Sequence, residues 1–125
     1  MKVYAGRTLT FANYAGGAPH LWIVVTDPDG TPPEVVLVSL SSEGPGKDDT
    51  VRLGPGDHPF IWKPTIVFYP DTRLMTVDVI EHEVNNARAT FHDDCSEDLL
   101  ETVRQGLLNS PSTPRRLKTY VRERI

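Results

Sequence analysis

The segment from His20 to Ser42, HLWIVVTDPDGTPPEVVLVSLSS, decides the fold class of this chain. It contains two compact apolar runs, LWIVV and VVLVSL, separated by a segment dense in Asp, Pro and Gly, DPDGTPP. β-Branched and aromatic side chains suit a pleated sheet, and Pro and Gly interrupt it, so the pattern predicts strand, turn, strand. Both runs are apolar at nearly every position, which is typical of strands buried on both faces or of a small closed barrel.

The chain on either side of this hairpin continues in short strands and turns. Four further runs predict strands: TLTF at 8–11, TVRL at 50–53, TIVFY at 65–69 and LMTVDVI at 74–80. The last two flank a Pro-Asp-Thr turn and form a predicted second hairpin. Residues 81–94 are polar and indicate a loop, which in one interpretation includes a helical turn. Ser96–Leu108 has the apolar spacing of a helix, with Ser96 as its N-cap. We therefore predict a mainly β fold, a small antiparallel barrel with a C-terminal α-helix over an open side.

The length and charge of the chain indicate one domain, residues 1–110, followed by a basic tail, residues 111–125. A chain of 125 residues is large enough for one core but not for two. The domain carries 8 basic and 16 acidic side chains, a net charge of −8, whereas the tail carries 5 and 1, a net charge of +4. Any nucleic-acid contact is therefore expected to be local, with the tail as a candidate. We expect the tail to be peripheral, as a short helix or as an arm that orders on binding.

Several classes of protein and site are disfavoured. No apolar run approaches the roughly 20 residues needed to cross a bilayer, and we expect no secretory signal, because the N-terminus lacks a continuous apolar segment. The single cysteine, Cys95, fits a reducing cytoplasm; its position before a predicted helix would lower a thiol pKa. His82, His92 and Cys95 match no common zinc spacing, and the Gly-rich loops lack the P-loop pattern, so neither a metal nor a cofactor is expected.

The hairpin and the later strands together resemble the MazF/PemK family of toxins from bacterial toxin–antitoxin pairs. LWIVVTDPDG followed by VVLVSLSS is similar to the family's opening strands, and the likeness continues in order through DHPFIWKPTIVFYPDTRLMTVDVI and SEDLLETVRQGLL, over residues 20–108. The resemblance implies an SH3-like barrel, a homodimer and cleavage of single-stranded RNA without a metal. The family usually has a catalytic Arg, followed by Pro, where the second strand begins. This chain has Glu34 in the matching stretch, TPPEVVLV.

The loop from Gly54 to Lys63 offers an imidazole, a carboxylate and a cation together. Cleavage of RNA through its own 2′-hydroxyl needs a base, an acid and a positive charge that stabilises the phosphorane. In place of the family arginine, we expect His58 to supply a proton role and Arg52 or Lys63 the phosphate charge. The resemblance also implies that Ser41 and Ser42, at the family's hydroxyl position, bind phosphate. The alternative for Asp57-His58-Pro59 is a turn whose side chains bond to the backbone.

The tryptophans and the overall function each leave two interpretations open. Trp22 and Trp62 are core or barrel-rim residues in one; in the other, Trp62 beside Lys63 stacks on RNA bases or on a partner. The leading hypothesis for function is a toxin-like endoribonuclease of a bacterial toxin–antitoxin system, acting on single-stranded RNA and bound by an antitoxin protein. The alternative is a non-catalytic SH3-like barrel that binds a protein partner.

Overall fold

A six-stranded antiparallel sheet organises the chain. The computed structural model describes residues 2–12 and 18–125. Its elements in chain order are β1 Thr8–Phe11, β2 Leu21–Val24, β3 Glu34–Ser42, β4 Arg52–Leu53, β5 Thr65–Thr76, α1 Val77–Asn85, β6 Ala89–His92, α2 Glu97–Asn109 and α3 Arg115–Arg122. The strands lie in the order β4-β5-β3-β2-β1-β6, and every pair is antiparallel. The sheet is a half-barrel, which confirms the predicted fold class, a small, mainly β, antiparallel barrel-like domain with a C-terminal helix.

The predicted hairpin forms the middle of the sheet and is buried on both faces. β2 pairs with β3 in a register that places Trp22 opposite Ser39 and Val24 opposite Leu37. Because successive strand residues point to opposite faces, the hairpin supplies both halves of the core. One face packs against α2 and α3, through residues that include Leu21, Ile23, Val36, Val38 and Leu40. The other packs against α1, through residues that include Trp22, Val24, Val35 and Leu37.

The predicted second hairpin is wrong, because residues 65–76 form one continuous strand, β5. Its first half, Thr65–Phe68, pairs with the end of β3, and its second half, Arg73–Thr76, pairs with the beginning of β3. The register shifts between the two halves, so Pro70 lies in a bulge that Thr72 closes by donating its hydroxyl to the Tyr69 carbonyl at 2.6 Å. The long apolar β3 offers β5 a partner on both sides of the bulge, and this pairing overrides the local turn signal.

The predicted strand at 74–80 is correct for residues 74–76 and wrong for residues 77–80, which are helical. In the predicted loop at 81–94, residues 81–85 form the helical turn that one interpretation included, and residues 89–92 form a strand that was not predicted. Thr76 ends β5 and caps α1, because its hydroxyl oxygen accepts a hydrogen bond from the Val79 amide at 3.3 Å. Val77 and Ile80 then lie one helical turn apart and are buried against the sheet. After α1 the chain forms β6, which pairs along the whole of β1.

The two C-terminal helices cover the face opposite α1. Ser96 caps α2 as predicted, since its hydroxyl oxygen accepts from the Leu99 amide at 3.1 Å. Leu117 and Val121 of α3 are fully buried in the same cluster as α2, so the prediction of a peripheral tail is wrong for this face of the helix. In the described parts of the chain no helix is long and apolar enough to span a membrane.

Candidate functional site

A surface cleft of about 210 Å³ gathers four of the six residues predicted to form the site. Ser41 and Ser42 reach it from the end of β3, and Trp62 and Lys63 reach it from the loop before β5. The strand register brings these segments together, since Ser42 pairs with Thr65 at the first position of β5. We call this site the Trp62 cleft; its described lining residues are Ala18, Pro19, His20, Leu21, Leu40, Ser41, Ser42, Phe60, Ile61, Trp62, Lys63 and Thr65.

The Trp62 cleft is free of acidic side chains in an otherwise acidic molecule. None of its described lining residues is Asp or Glu, although residues 1–110 carry a net charge of −8. Lys63 lines the cleft. The Lys47 ammonium bonds the Ser41 hydroxyl from a neighbouring hollow, which Glu43 and Asp49 also line. The local charge therefore favours an anionic ligand where the surrounding surface does not.

The two tryptophans of the chain divide between core and surface. Trp22 is buried in the sheet, whereas 74% of the Trp62 surface is exposed, the largest value among the exposed large hydrophobic side chains of the described residues. The Lys63 ammonium lies 4.9 Å from the Trp62 ring centroid, within the range of a cation–π contact. Phe60, at 37% exposure, is a second aromatic side chain of the cleft. The cleft thus presents ring surface and positive charge side by side.

Lys47, which was not among the sequence predictions, lines a neighbouring surface hollow and contacts the site from there. Its ammonium donates to the Ser41 hydroxyl at 3.1 Å and to the Ser42 carbonyl at 2.8 Å. These contacts place a positive charge directly on the predicted hydroxyl pair. The sequence signal was weak, because Lys47 lies in a Gly/Pro-rich loop whose path back to the end of β3 is not encoded in any local pattern.

His20 is the second missed residue. It is exposed in the cleft, and its Nδ1 lies 3.0 Å from the Leu40 carbonyl oxygen. A carbonyl can only accept, so Nδ1 carries the hydrogen, and Nε2 has no hydrogen-bond partner among residues 2–12 and 18–125. The predicted hairpin held the signal, because the observed pairing of Trp22 with Ser39, extended by two residues, sets His20 opposite Ser41.

His58, the predicted proton-transfer residue, lies outside the cleft and is buried. Its Nδ1 accepts from the Phe60 amide at 3.0 Å, and its Nε2 donates to the Asp93 carbonyl at 2.6 Å. Asp57 accepts from the Gly54 amide at 2.7 Å. Both ring nitrogens of His58 are thus bonded to the backbone, which is the geometry of the alternative interpretation, a structural turn.

Arg52 also lies outside the cleft, in a neighbouring surface hollow. Its guanidinium pairs with Glu43 at 3.3 Å and with Asp49 at 2.8 Å, so two carboxylates compensate its charge. Glu34, the position at which the resemblance implies a catalytic arginine, begins β3 at the end of the strand opposite Ser42. Of the cations that sequence reasoning proposed, Lys63 is the one that the structure brings to the cleft.

Cys95 has none of the properties of a reactive thiol. Burial, and then the charge of Asp94, raises the pKa of Cys95 to about 12, so the expectation of a lowered pKa is wrong. The position before α2 is outweighed by the removal of the thiol from water. In residues 2–12 and 18–125, no group of three or more His, Cys, Asp or Glu side chains is placed to hold a metal ion.

Comparisons with known proteins return no match for this chain. No family model, no curated protein and no solved structure is similar to it.

Proposed function

We propose that this protein is a toxin-like endoribonuclease of a bacterial toxin–antitoxin system, which takes single-stranded RNA into the Trp62 cleft and cleaves it without a metal. The proposal includes a homodimer, a cytoplasmic location and an antitoxin protein as partner. Two observations support it. The sequence of residues 20–108 resembles that of the MazF/PemK toxins, and the cleft combines aromatic rings with positive charge, which a single RNA strand can contact.

The observation that carries the proposal is an exposed tryptophan beside a lysine in an acid-free cleft. Every base offers a π face, so Trp62 and Phe60 provide stacking surfaces that do not depend on sequence. In this proposal the phosphates of the stacked strand contact Lys63, which lines the cleft, and Lys47, whose ammonium bonds the Ser41 hydroxyl. Bases are free to stack in this way only when they are unpaired, which favours single-stranded RNA over a duplex.

The second candidate function, a non-catalytic SH3-like barrel that binds a protein partner, has support from the same aromatic residues. Exposed Trp and Phe side chains are enriched at the centres of protein interfaces. The two candidates differ in the role of charge, because only RNA binding uses Lys47 and Lys63 as phosphate ligands. The effect of replacing Trp62 on the affinity for RNA distinguishes the two candidate functions.

The test is the binding of a fluorescein-labelled single-stranded 2′-O-methyl RNA 20-mer, which has no 2′-hydroxyl to attack the phosphate and remains intact, measured by anisotropy in EDTA. Loss of one stacked base costs about 1–3 kcal/mol, so Trp62→Ala should weaken binding roughly 5- to 150-fold. Trp62→Phe keeps a ring and should retain most of the affinity. Val79→Ala, which shortens an exposed apolar side chain on α1, is the matched control and should leave binding unchanged. A wild-type protein that does not bind the RNA, or a Trp62→Ala variant that binds as well as wild type, would overturn the proposal.

A further inference from the structure

We propose that the His20 imidazole is the proton-transfer group of the Trp62 cleft and accepts the 2′-hydroxyl proton of the RNA substrate at Nε2. This inference rests on the proposed function and adds to it a residue that neither the sequence motifs nor the resemblance singles out. It replaces His58 in that role.

A backbone hydrogen bond determines the tautomer of His20. The Leu40 carbonyl fixes the hydrogen on Nδ1, at 3.0 Å, and orients the ring. The other nitrogen, Nε2, is thereby left with its lone pair available. A backbone carbonyl that holds one imidazole nitrogen so that the other can accept a proton is the arrangement that general-base catalysis requires.

His20 lies in the same cleft as Ser41 and Lys63, two of the proposed phosphate ligands. The Trp22–Ser39 pair of the hairpin, extended by two residues beyond the observed register, sets His20 opposite Ser41. The Ser41 hydroxyl oxygen accepts from the Lys47 ammonium at 3.1 Å. His20, Ser41 and Lys63 all line the same cleft. A phosphate held by the hydroxyl and ammonium groups would therefore have an imidazole beside it. The cation that stabilises the phosphorane and the base that starts the reaction come from different segments and meet at the end of β3.

The chain has four histidines, and three of them lie outside the Trp62 cleft. Both ring nitrogens of His58 are bonded to the backbone. His92 Nε2 bonds to the Thr10 hydroxyl at 3.0 Å, and His82 is on α1, where its ring lies near Asn86. His20 alone among the four lines the Trp62 cleft.

The chemical step balances without a metal or a co-reactant other than water. Nε2 of His20 takes the 2′-hydroxyl proton, the 2′-oxygen forms a bond to phosphorus, and the bond from phosphorus to the 5′-oxygen breaks. The leaving 5′-oxygen takes a proton from water, and the imidazolium returns its proton to the hydroxide so formed. The products are a 2′,3′-cyclic phosphate and a 5′-hydroxyl.

The experiment compares cleavage of a labelled RNA with binding of its uncleavable 2′-O-methyl analogue, both in EDTA. His20→Asn retains a side-chain N–H that can reach the Leu40 carbonyl but cannot transfer a proton. We expect its single-turnover cleavage rate at saturating protein to fall about 10²- to 10⁴-fold, with little change in anisotropy-measured affinity. His82→Asn is the matched control and should cleave at the wild-type rate. His20→Ala is the second variant, and added imidazole should restore part of its cleavage.

The outcomes distinguish a failure of this inference from a failure of the proposed function. A His20→Asn variant that cleaves like wild type would overturn the role of His20 and leave the ribonuclease proposal standing. Wild-type protein that binds the RNA but does not cleave it would overturn the role of His20 and the endonuclease activity, while RNA binding stands. Wild-type protein that does not bind the RNA would overturn both proposals.

Discussion

At the scale of single residues, His58 and His20 show how one hydrogen bond separates a structural imidazole from an available one. Both rings bond a backbone carbonyl, of Asp93 and Leu40 respectively. His58 has a second backbone bond, from the Phe60 amide, and is buried, whereas His20 is exposed with Nε2 unbonded in the described part of the chain. A histidine with both nitrogens occupied stabilises a loop, and one with a single nitrogen occupied remains capable of proton transfer.

This difference predicts that His58→Ala will affect stability and not chemistry. The substitution removes the buried acceptor of the Phe60 amide and one donor to the Asp93 carbonyl, at a cost of about 1–3 kcal/mol. We expect a lower melting temperature in calorimetry and a wild-type cleavage rate per folded molecule. His82→Ala, an exposed histidine on α1, is the control and should melt like wild type. A His58→Ala variant with an unchanged melting temperature and reduced cleavage would instead restore His58 as the proton-transfer residue.

At the scale of elements, the packing of α2 on β5 depends on one glycine. The Tyr69 hydroxyl of β5 donates to the Val103 carbonyl of α2 at 2.8 Å. Burial, and then the charge of Asp48, raises the pKa of Tyr69 far above its usual range, so the hydroxyl remains a donor. A Cβ added at Gly106 would clash with the Tyr69 hydroxyl and with a Val51 methyl group. The helix thus approaches the sheet at the position where no side chain intervenes.

We therefore predict that Gly106→Ala destabilises the protein although alanine is the better helix former. Alanine gains about 1 kcal/mol in helix propensity, but overpacking of a close contact typically costs about 1–3 kcal/mol, with larger values where backbone must move. We expect a net loss of unfolding free energy in urea titration. Gly54→Ala is the matched control, because a Cβ at Gly54 meets open space, and it should be close to neutral. Equal stabilities of the two variants would show that α2 adjusts freely.

Whether an element could be predicted from sequence depends on whether its signal is local or comes from a distant strand partner. β2, β3 and α2 carry local signals, namely continuous apolar runs and a Ser96 N-cap, and these elements are where the sequence predicts them. The first part of β5 was predicted as a strand at 65–69. Its continuation to Thr76 and the strand β6 could not be predicted in this way, since their pairing with β3 and β1 depends on distant partners that override a Pro-Asp-Thr turn and a polar segment. The start of α1 was accessible, because Thr76 followed by Val77 and Ile80 at helical spacing is an N-cap pattern.

The residues of the candidate site likewise divide into those that a local pattern predicts and those that depend on distant parts of the chain. Ser41, Ser42, Trp62 and Lys63 were predicted from residue type and resemblance, and the structure places them in one cleft. His20 and Lys47 were missed because their contribution depends on strand register and on the return path of a loop. His58 was favoured because it is close in sequence to Lys63, but closeness in sequence does not reveal that both of its nitrogens are bonded to the backbone.

At the scale of the whole molecule, charge is divided between an acidic body and the exposed face of α3. Arg115, Arg116, Lys118 and Arg122 make no ion pair within the described residues, although residues 1–110 carry a net charge of −8. The helix is fixed in place by Leu117 and Val121 in the core. Its C-terminal end lies near the turn between β2 and β3, where Arg124 pairs with Asp29 at 3.0 Å. This turn precedes Glu34, and β3 separates it from the cleft by about 26 Å at 3.3 Å per residue.

This arrangement predicts that the basic face of α3 binds RNA only when the strand is long enough to reach it from the Trp62 cleft. Deletion of the tail is unsuitable as a test, because it would also remove the buried Leu117 and Val121. The sharper variant is Arg115→Gln with Arg122→Gln, which removes two unpaired charges from the surface. Each lost phosphate contact should reduce the slope of log affinity against log salt by about 0.7. We therefore expect a reduced slope with a 20-mer and an unchanged slope with a tetranucleotide, measured by anisotropy between low and moderate salt.

Arg73→Gln, an exposed arginine already paired with Asp71, is the control and should change neither slope. Equal slopes for the double variant and wild type on the 20-mer would remove α3 from the RNA-binding surface, and a reduced slope on the tetranucleotide would show that the helix acts at the cleft itself.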